Sequence, residues 1–320
     1  MERIHEILEN VKTVGIAGHL RPDGDCIGSC MGFYLYLKHN YPELEADVYL
    51  EEPKPVFSYI AHMDDVFHDI QGREDMVYDL FVTLDVSSKE RIGVAGPLFD
   101  IAKKTVCIDH HVSNHGFGQI NHIRGEISSA SEVLYNLLEP DKIELEAATA
   151  IYTGIAHDTG VFQYSTTSPD TMRIAGELMK YGFNFSKIID HSFYEKTYVQ
   201  NQVMGRVLAE SIMLQDGKCI VGYMKRKDMD FYGVTGKDLD GVVSQLRLTQ
   251  GVEVAIFVYE FEPQFFKVSL RSNGIVDVSK VAVFFGGGGH MRAAGCDMRG
   301  SMYDVINNLT AEIEKQLLGE

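Results

Sequence analysis

Short apolar runs alternate, along the first half of this chain, with stretches whose hydrophobic residues recur at three- and four-residue spacing. Residues 13–17, 46–50, 79–84 and 105–108 are of the first kind, and they read as buried strands. Residues 26–38 are of the second kind, with Ile27, Met31, Tyr34, Leu35 and Leu37 supplying much of an apolar helix face. Gly28 and Gly32 let that helix approach a strand or a bound ion closely. Further helices are predicted over 128–138, with Ser129 and Glu132 at capping-box spacing, over alanine-rich 144–157, and over 169–181, closed by Gly182. Residues 91–103 are a mixed helical stretch, Pro53 and Pro55 end the second strand and start a helical turn, and residues 1–10 read as an amphipathic helix.

Strands that alternate with helices of this length need crossover connections, so residues 1–190 predict a doubly wound α/β domain on a mainly parallel sheet. The pattern then changes. Residues 183–211 are helical and polar without a strand, with a main helix at 198–210, and 191–212 serve as a connector. A strand at 218–224, a helix at 236–248 and two strands, 252–261 and 265–272, turned by Glu262-Pro263-Gln264, follow. A tight turn joins antiparallel strands, so residues 213–320 predict a second, smaller α+β domain.

Composition narrows the partners. The net charge of -17 is uneven, because residues 1–190 carry 15 Lys+Arg against 30 Asp+Glu. Such a chain lacks the basic tracks that grip long nucleic acid through counterion release. Small anions remain open to it if metals supply the positive charge. The five cysteines include no C-x-x-C pair, so neither a disulfide framework nor a zinc knuckle is indicated, and a reducing cytoplasm is the expected compartment. No apolar run approaches the ~18 residues of a membrane span.

The candidate chemistry sits where the apolar segments stop. His19, Asp23 and Asp25 follow residues 14–17, Asp85 follows 80–84, Asp109-His110-His111 ends 105–108, and Asp158 closes the helix at 144–157. Taken singly, Asp25 reads as a helix cap, Asp23 as a turn residue, Asp85 as a cap, and His157 as a structural neighbour of Asp158. Taken together, five carboxylates and three imidazoles converge on one edge of the sheet, a donor set suited to divalent cations. Near the far end, Gly286, Gly287, Gly288 and Gly289 precede His290 and Arg292. Their amides, with those of an expected following helix start, suit an anion, and Arg271 adds a bidentate phosphate partner.

G-H-L-R-P-D-G-D-C-I-G-S, T-L-D, I-D-H-H and G-G-G-G-H-M-R-A-A-G together resemble the motifs of the DHH phosphoesterase superfamily, the last that of its DHHA1 subclass. The length and the V-S-L-R-S-N-G-I-V-D-V-S approach to the glycines resemble the NrnA-type group of oligoribonucleases and 3′-phosphoadenosine-5′-phosphate phosphatases. The resemblance implies two divalent ions, manganese foremost, with magnesium or cobalt as alternatives. His19, Asp23 and Asp85 would hold one ion; Asp25, Asp85, His110 and Asp158 would hold the other. His111 would face the scissile phosphate, supported by Asp109, and Arg271, Gly286 to Gly289, His290 and Arg292 would hold the substrate's end. The implied substrates are short oligoribonucleotides and adenosine 3′,5′-bisphosphate, cleaved by a monomer or homodimer. Cyclic dinucleotides, pyrophosphate or polyphosphate as substrates, or a non-catalytic nucleotide-binding module, are the competing expectations. Relatives commonly carry a small hydroxyl residue where this chain has His157.

Overall fold

In the first half, β1 (Thr13–Ala17), β2 (Glu45–Tyr49), β3 (Leu80–Leu84), β4 (Thr105–Asp109) and β5 (Ile120–Ile123) pair in parallel in the order β2-β1-β3-β4-β5. The structure, a computed structural model, describes residues 4–319. It divides between Glu195 and Lys196 into two compact units.

The order of the first sheet reverses at β1, which has β2 on one side and β3 on the other. Chains leaving β1 and β3 therefore diverge and open a crevice at the carboxyl edge, the usual ligand position in open α/β sheets. One face of the sheet presents Val14, Ile16, Val82, Val106 and Ile108 to a core shared with α2 (Gly24–Asn40), α4 (Ala130–Leu137), α5 (Leu145–Asp158) and α6 (Pro169–Met179). The other presents Ala17, Tyr49 and Phe81 to Leu98 and Phe99 of α3 (Gly96–Ile101). Parallel strands buried on both faces read as continuous apolar runs, which is why four of the five were legible.

The close approach allowed by Gly28 and Gly32 is to another helix, not to a strand. A Cβ at position 28 would lie 2.6 Å from Ala150 O, and one at position 32 would lie 2.6 Å from the Ile151 side chain, so α2 and α5 pack backbone to backbone. Short helices α1 (Ile4–Ile7) and α7 (Phe185–Ile189) complete the unit. The start of the predicted amphipathic N-terminal helix, residues 1–3, lies outside the described residues.

The second unit holds a mixed sheet in the order β10-β11-β9-β8-β7-β6. Its strands are β6 (Ile212–Leu214), β7 (Cys219–Met224), β8 (Val254–Glu262), β9 (Phe265–Ser272), β10 (Gly288–His290) and β11 (Ala293–Arg299), with only β7 and β8 parallel. Val254, Ile256, Val268 and Leu270 face α11 (Val278–Phe284) and α12 (Met302–Leu318). Ile220, Ala255 and Phe257 face α8 (Tyr198–Ala209), α9 (Arg226–Tyr232) and α10 (Val242–Arg247).

Two expectations change here. The helix read over 236–248 is broken at Gly241, whose φ of 88° ends a 3-10 turn (Gly236–Leu239) before α10 begins. The glycine run leads into a hairpin, not a helix: β10 turns directly into β11. Among the described residues no helix is long and apolar enough to cross a membrane.

Candidate metal centre

Asp85 ends β3 in a left-handed conformation, φ 59°, and is buried at the crevice. That backbone costs a non-glycine residue about 1 kcal/mol or more and clusters at functional sites. Its two oxygens face different partners. Oδ2 lies 3.3 Å from His19 Nε2, which also stands 3.7 Å from Asp23 Oδ1. Oδ1 lies 3.5 Å from His110 Nε2, which stands 3.5 Å from Asp158 Oδ2 and 4.0 Å from Asp25 Oδ2. The loop after β1, the ends of β3 and β4 and the end of α5 thus bring together all six residues expected as metal ligands.

The donor chemistry fits divalent cations. Asp85 Oδ1 is buried without a hydrogen-bond partner, a costly state for a carboxylate that a cation would relieve. The His19 ring donates Nδ1–H to Leu20 O at 2.9 Å, which turns Nε2 toward the Asp23 and Asp85 carboxylates, the edge a cation would take in place of a proton. Cys26 Sγ accepts the His19 backbone N–H at 3.3 Å and lies in the same cluster as His19 and Asp85.

The roles of the two flanking carboxylates differ from their sequence appearance. Asp23, not Asp25, is the N-cap of α2, accepting from the backbone N–H of Asp25 and Cys26. Asp25 lies in the first turn, buried, and accepts from Ala130 N at 2.6 Å and Ser131 N at 3.0 Å, so it also caps α4 across the fold. Ser129 caps α4 from within, but Glu132 turns its carboxylate to Ser128 and Thr171 instead of closing a capping box.

Burial and crowding set the protonation. Burial pulls the His19 pKa down, but Asp23 and Asp85 outweigh it and hold it at about 12. Burial likewise opposes, and Asp85, Asp25 and Asp158 together overcome, at His110, held at about 10. Burial, with Asp85 and Asp158, pushes the Asp25 carboxyl well up. Burial also lifts Asp158 to about 6. Metal ions would displace these protons.

His111 is oriented separately. Its Nδ1–H donates to Asp109 Oδ1 at 2.8 Å, and the fully buried Asp109 also accepts from Asn114 Nδ2 at 2.7 Å. Asn114 was not foreseen, nor was Arg124, which follows β5 and donates its backbone N–H to Asp109 O at 2.9 Å. Recognising β5 would have placed Arg124 at the same edge of the sheet.

In the second unit, Arg271, Ala293 and His290 stand side by side across β9, β11 and β10, and Ser269, Gly295 and Gly288 form the next row on that face. Directly opposed residues share a face, so Arg271 and His290 flank a strip of small residues. A cavity of about 360 Å³ is lined by Lys267, Ser269, Gly286, Gly287 and Gly295 among others. The four glycines do not form one cradle: the amides of Gly286 and Gly287 are bonded to Val283 O and Ala282 O, closing α11. Arg292 is exposed in the β10–β11 turn.

A buried two-sided carboxylate among histidines at a sheet switch point, beside an oriented His111, defines a metal-dependent hydrolytic centre. Residues 13–155 match the DHH family N-terminal domain and residues 216–318 the DHHA1 domain. The chain belongs to the DHH family of phosphoesterases and is a hydrolase of phosphate esters. It is 30% identical, over 99% of its length and 94% of the relative's, to the bifunctional oligoribonuclease and PAP phosphatase NrnA of Thermus thermophilus. It is 28% identical to the protein of the same name from Bacillus subtilis, over 94% of each. An exopolyphosphatase-related protein from Bacteroides fragilis superposes with a TM-score of 0.89 at 25% identity, covering 98% of this chain and 95% of that one.

Proposed function

We propose that this protein hydrolyses very short oligoribonucleotides to mononucleotides and removes the 3′-phosphate of adenosine 3′,5′-bisphosphate, using two divalent ions, manganese foremost. The observation that carries the reading is Asp85, which turns one buried oxygen to the His19 group and the other to the His110 group. Asp85 with His19 and Asp23 would hold one ion, and Asp85 with Asp25, His110 and Asp158 would hold the other. The substrates are those named for the Thermus and Bacillus relatives. The five cysteines are buried and free, in keeping with a reducing compartment.

Bound there, the ions would supply a water of lowered pKa and offset charge on the phosphate oxygens. The protein's own groups do the rest. Asp109 holds His111 with its Nδ1–H inward, which leaves Nε2 available to a phosphate or leaving oxygen. Arg271 and His290, with Gly288 beside them, would hold the terminal phosphate, next to the cavity that Gly286 and Gly287 line with Ser269 and Gly295.

The test is phosphate and nucleotide release, with added manganese, from pApA, longer oligoribonucleotides, adenosine 3′,5′-bisphosphate, cyclic di-AMP, pyrophosphate and polyphosphate. Turnover concentrated on the dinucleotide and the bisphosphate is the expected result. Preference for pyrophosphate, polyphosphate or the cyclic compound would overturn the substrate while keeping the centre.

A further inference from the structure

His157 touches the metal loop but has no part in the ligand set. Its ring packs between Phe57, in the 3-10 turn Pro55–Phe57, and Phe193, in the π-helical turn Asp190–Tyr194, with centroids 5.1 and 5.4 Å away. Its Nε2 lies 2.8 Å from Ser192 Oγ. The Ser192 hydroxyl donates to Ile188 O at 2.7 Å, so it must accept from His157, which fixes the Nε2–H tautomer. The ring's other edge lies over Gly24: a Cβ at that position would come within 2.5 Å of Nδ1.

Gly24 separates Asp23 from Asp25, and Asp158 follows His157 directly. One ring therefore bears on three of the proposed ligands, and its far edge is tied to a single π turn, a backbone form found mostly at functional positions.

We infer that His157 is a positioning residue, anchored through Ser192, that seats the Asp23-Gly24-Asp25 loop and Asp158 in metal-binding geometry. The inference rests on the two-metal reading. Groups that orient metal ligands typically change affinity by ~10–100-fold when removed.

Calorimetric titration of metal-free protein with Mn²⁺ tests it. His157→Ala is expected to weaken Mn²⁺ binding by about 10-fold or more. Ser192→Ala should weaken it in the same direction but less, because the ring stays and loses only its anchor. His157→Gln should recover much of the loss, since its amide can donate to Ser192. Leu178→Ala, buried in α6 away from the loop, should lower Tm without changing Mn²⁺ affinity. If His157→Ala does not fold, Ser192→Ala decides. Variants that bind Mn²⁺ as the wild type does, or a loss matched by Leu178→Ala, overturn the inference alone. A wild-type protein that binds no Mn²⁺ removes the two-metal reading, and this one with it.

Discussion

His111 and Asp109, two residues apart at the end of β4, are joined by an Nδ1–H bond of 2.8 Å, and Asn114 holds the other Asp109 oxygen at 2.7 Å. The carboxylate lifts the His111 pKa, and the histidine in turn, against burial, holds the Asp109 carboxyl low. With both oxygens of the buried Asp109 engaged by His111 and Asn114, its contacts support a part in orienting His111. Asp109→Ala should therefore lower kcat by about 10–100-fold with little change in Mn²⁺ affinity. It should also bring the His111 titration, followed by NMR, down. An unchanged His111 titration would sink the pairing.

Asp85 makes the opposite prediction. Asparagine tolerates the left-handed backbone at φ 59°, so Asp85→Asn should fold, yet it removes the charge shared by both histidine groups. Mn²⁺ stoichiometry should fall and hydrolysis should drop by about 1,000-fold or more, the scale of losing a metal-centred electrostatic contribution. A variant that still binds two ions and turns over substrate would refute the bridging role.

The crowded carboxyls make the metal-free protein sensitive to pH. Burial, with Asp85 and Asp23 against His110, raises Asp158 from 3.8 to about 6, and Asp25 moves the same way. A group whose folded pKa is raised stabilises fully below its unfolded value and loses that contribution as the pH rises through the folded one. Tm of chelator-treated protein should therefore fall between about pH 4 and 6. His110 and His19, raised from 6.5 to about 10 and about 12, continue the loss above that window. Asp23, lowered to about 2, acts only at more acid pH. Saturating Mn²⁺, bound by the deprotonated carboxylates, should flatten the decline in scanning calorimetry; a metal-free profile that is already flat would contradict it.

Glu253, unforeseen from sequence, organises the turn after Arg271. Its Oε1 accepts from Ser272 Oγ at 3.0 Å and from the amides of Gly274, Ile275 and Val276 at 3.0, 2.6 and 3.1 Å. Glu253→Ala strands the buried Ser272 hydroxyl and Val276 amide and frees the part-buried Gly274 and Ile275 amides, and should cost about 3 kcal/mol of unfolding free energy in urea. Glu253→Gln, which keeps an acceptor oxygen, should cost less than half of that. Equal losses would show that packing, not the acceptor, matters there.

What could be read in advance follows from how local each signal is. The strand at Thr105–Asp109 announced itself because burial on both faces demands a continuous apolar run. β5, Ile-Asn-His-Ile, pairs only with β4 at the sheet's edge and carries a mixed pattern, so it gives no strand signal of its own. The converging ligands were legible as the ends of apolar segments, three strands and one helix. That Asp25 also caps α4 was not, because its amide partners are 105 and 106 residues away. A glycine inside a helical pattern is often tolerated, so the prediction ran through Gly241, which the fold uses at positive φ instead.

The glycine run shows where fold and binding can be separated by substitution. A Cβ at Gly287 would overlap Gly295 O and Cys296, and one at Gly289 would lie 2.5 Å from Ala293 O on a backbone at φ 145°. Gly286 closes α11 at φ 78°. Gly288 alone has open space where a side chain would go and no positive φ to forbid one. Gly287→Ala and Gly289→Ala should therefore lower Tm and solubility, because hairpin and sheet must shift. Gly288→Ala should leave Tm within a degree or so of wild type, since exposed substitutions typically change stability by less than about 0.5 kcal/mol. It lies one row from Arg271 and His290 on the same face. If that strip holds the substrate's phosphate, KM for pApA should rise several-fold in Gly288→Ala while Mn²⁺ affinity stays unchanged. A wild-type KM would show that the run serves the hairpin alone.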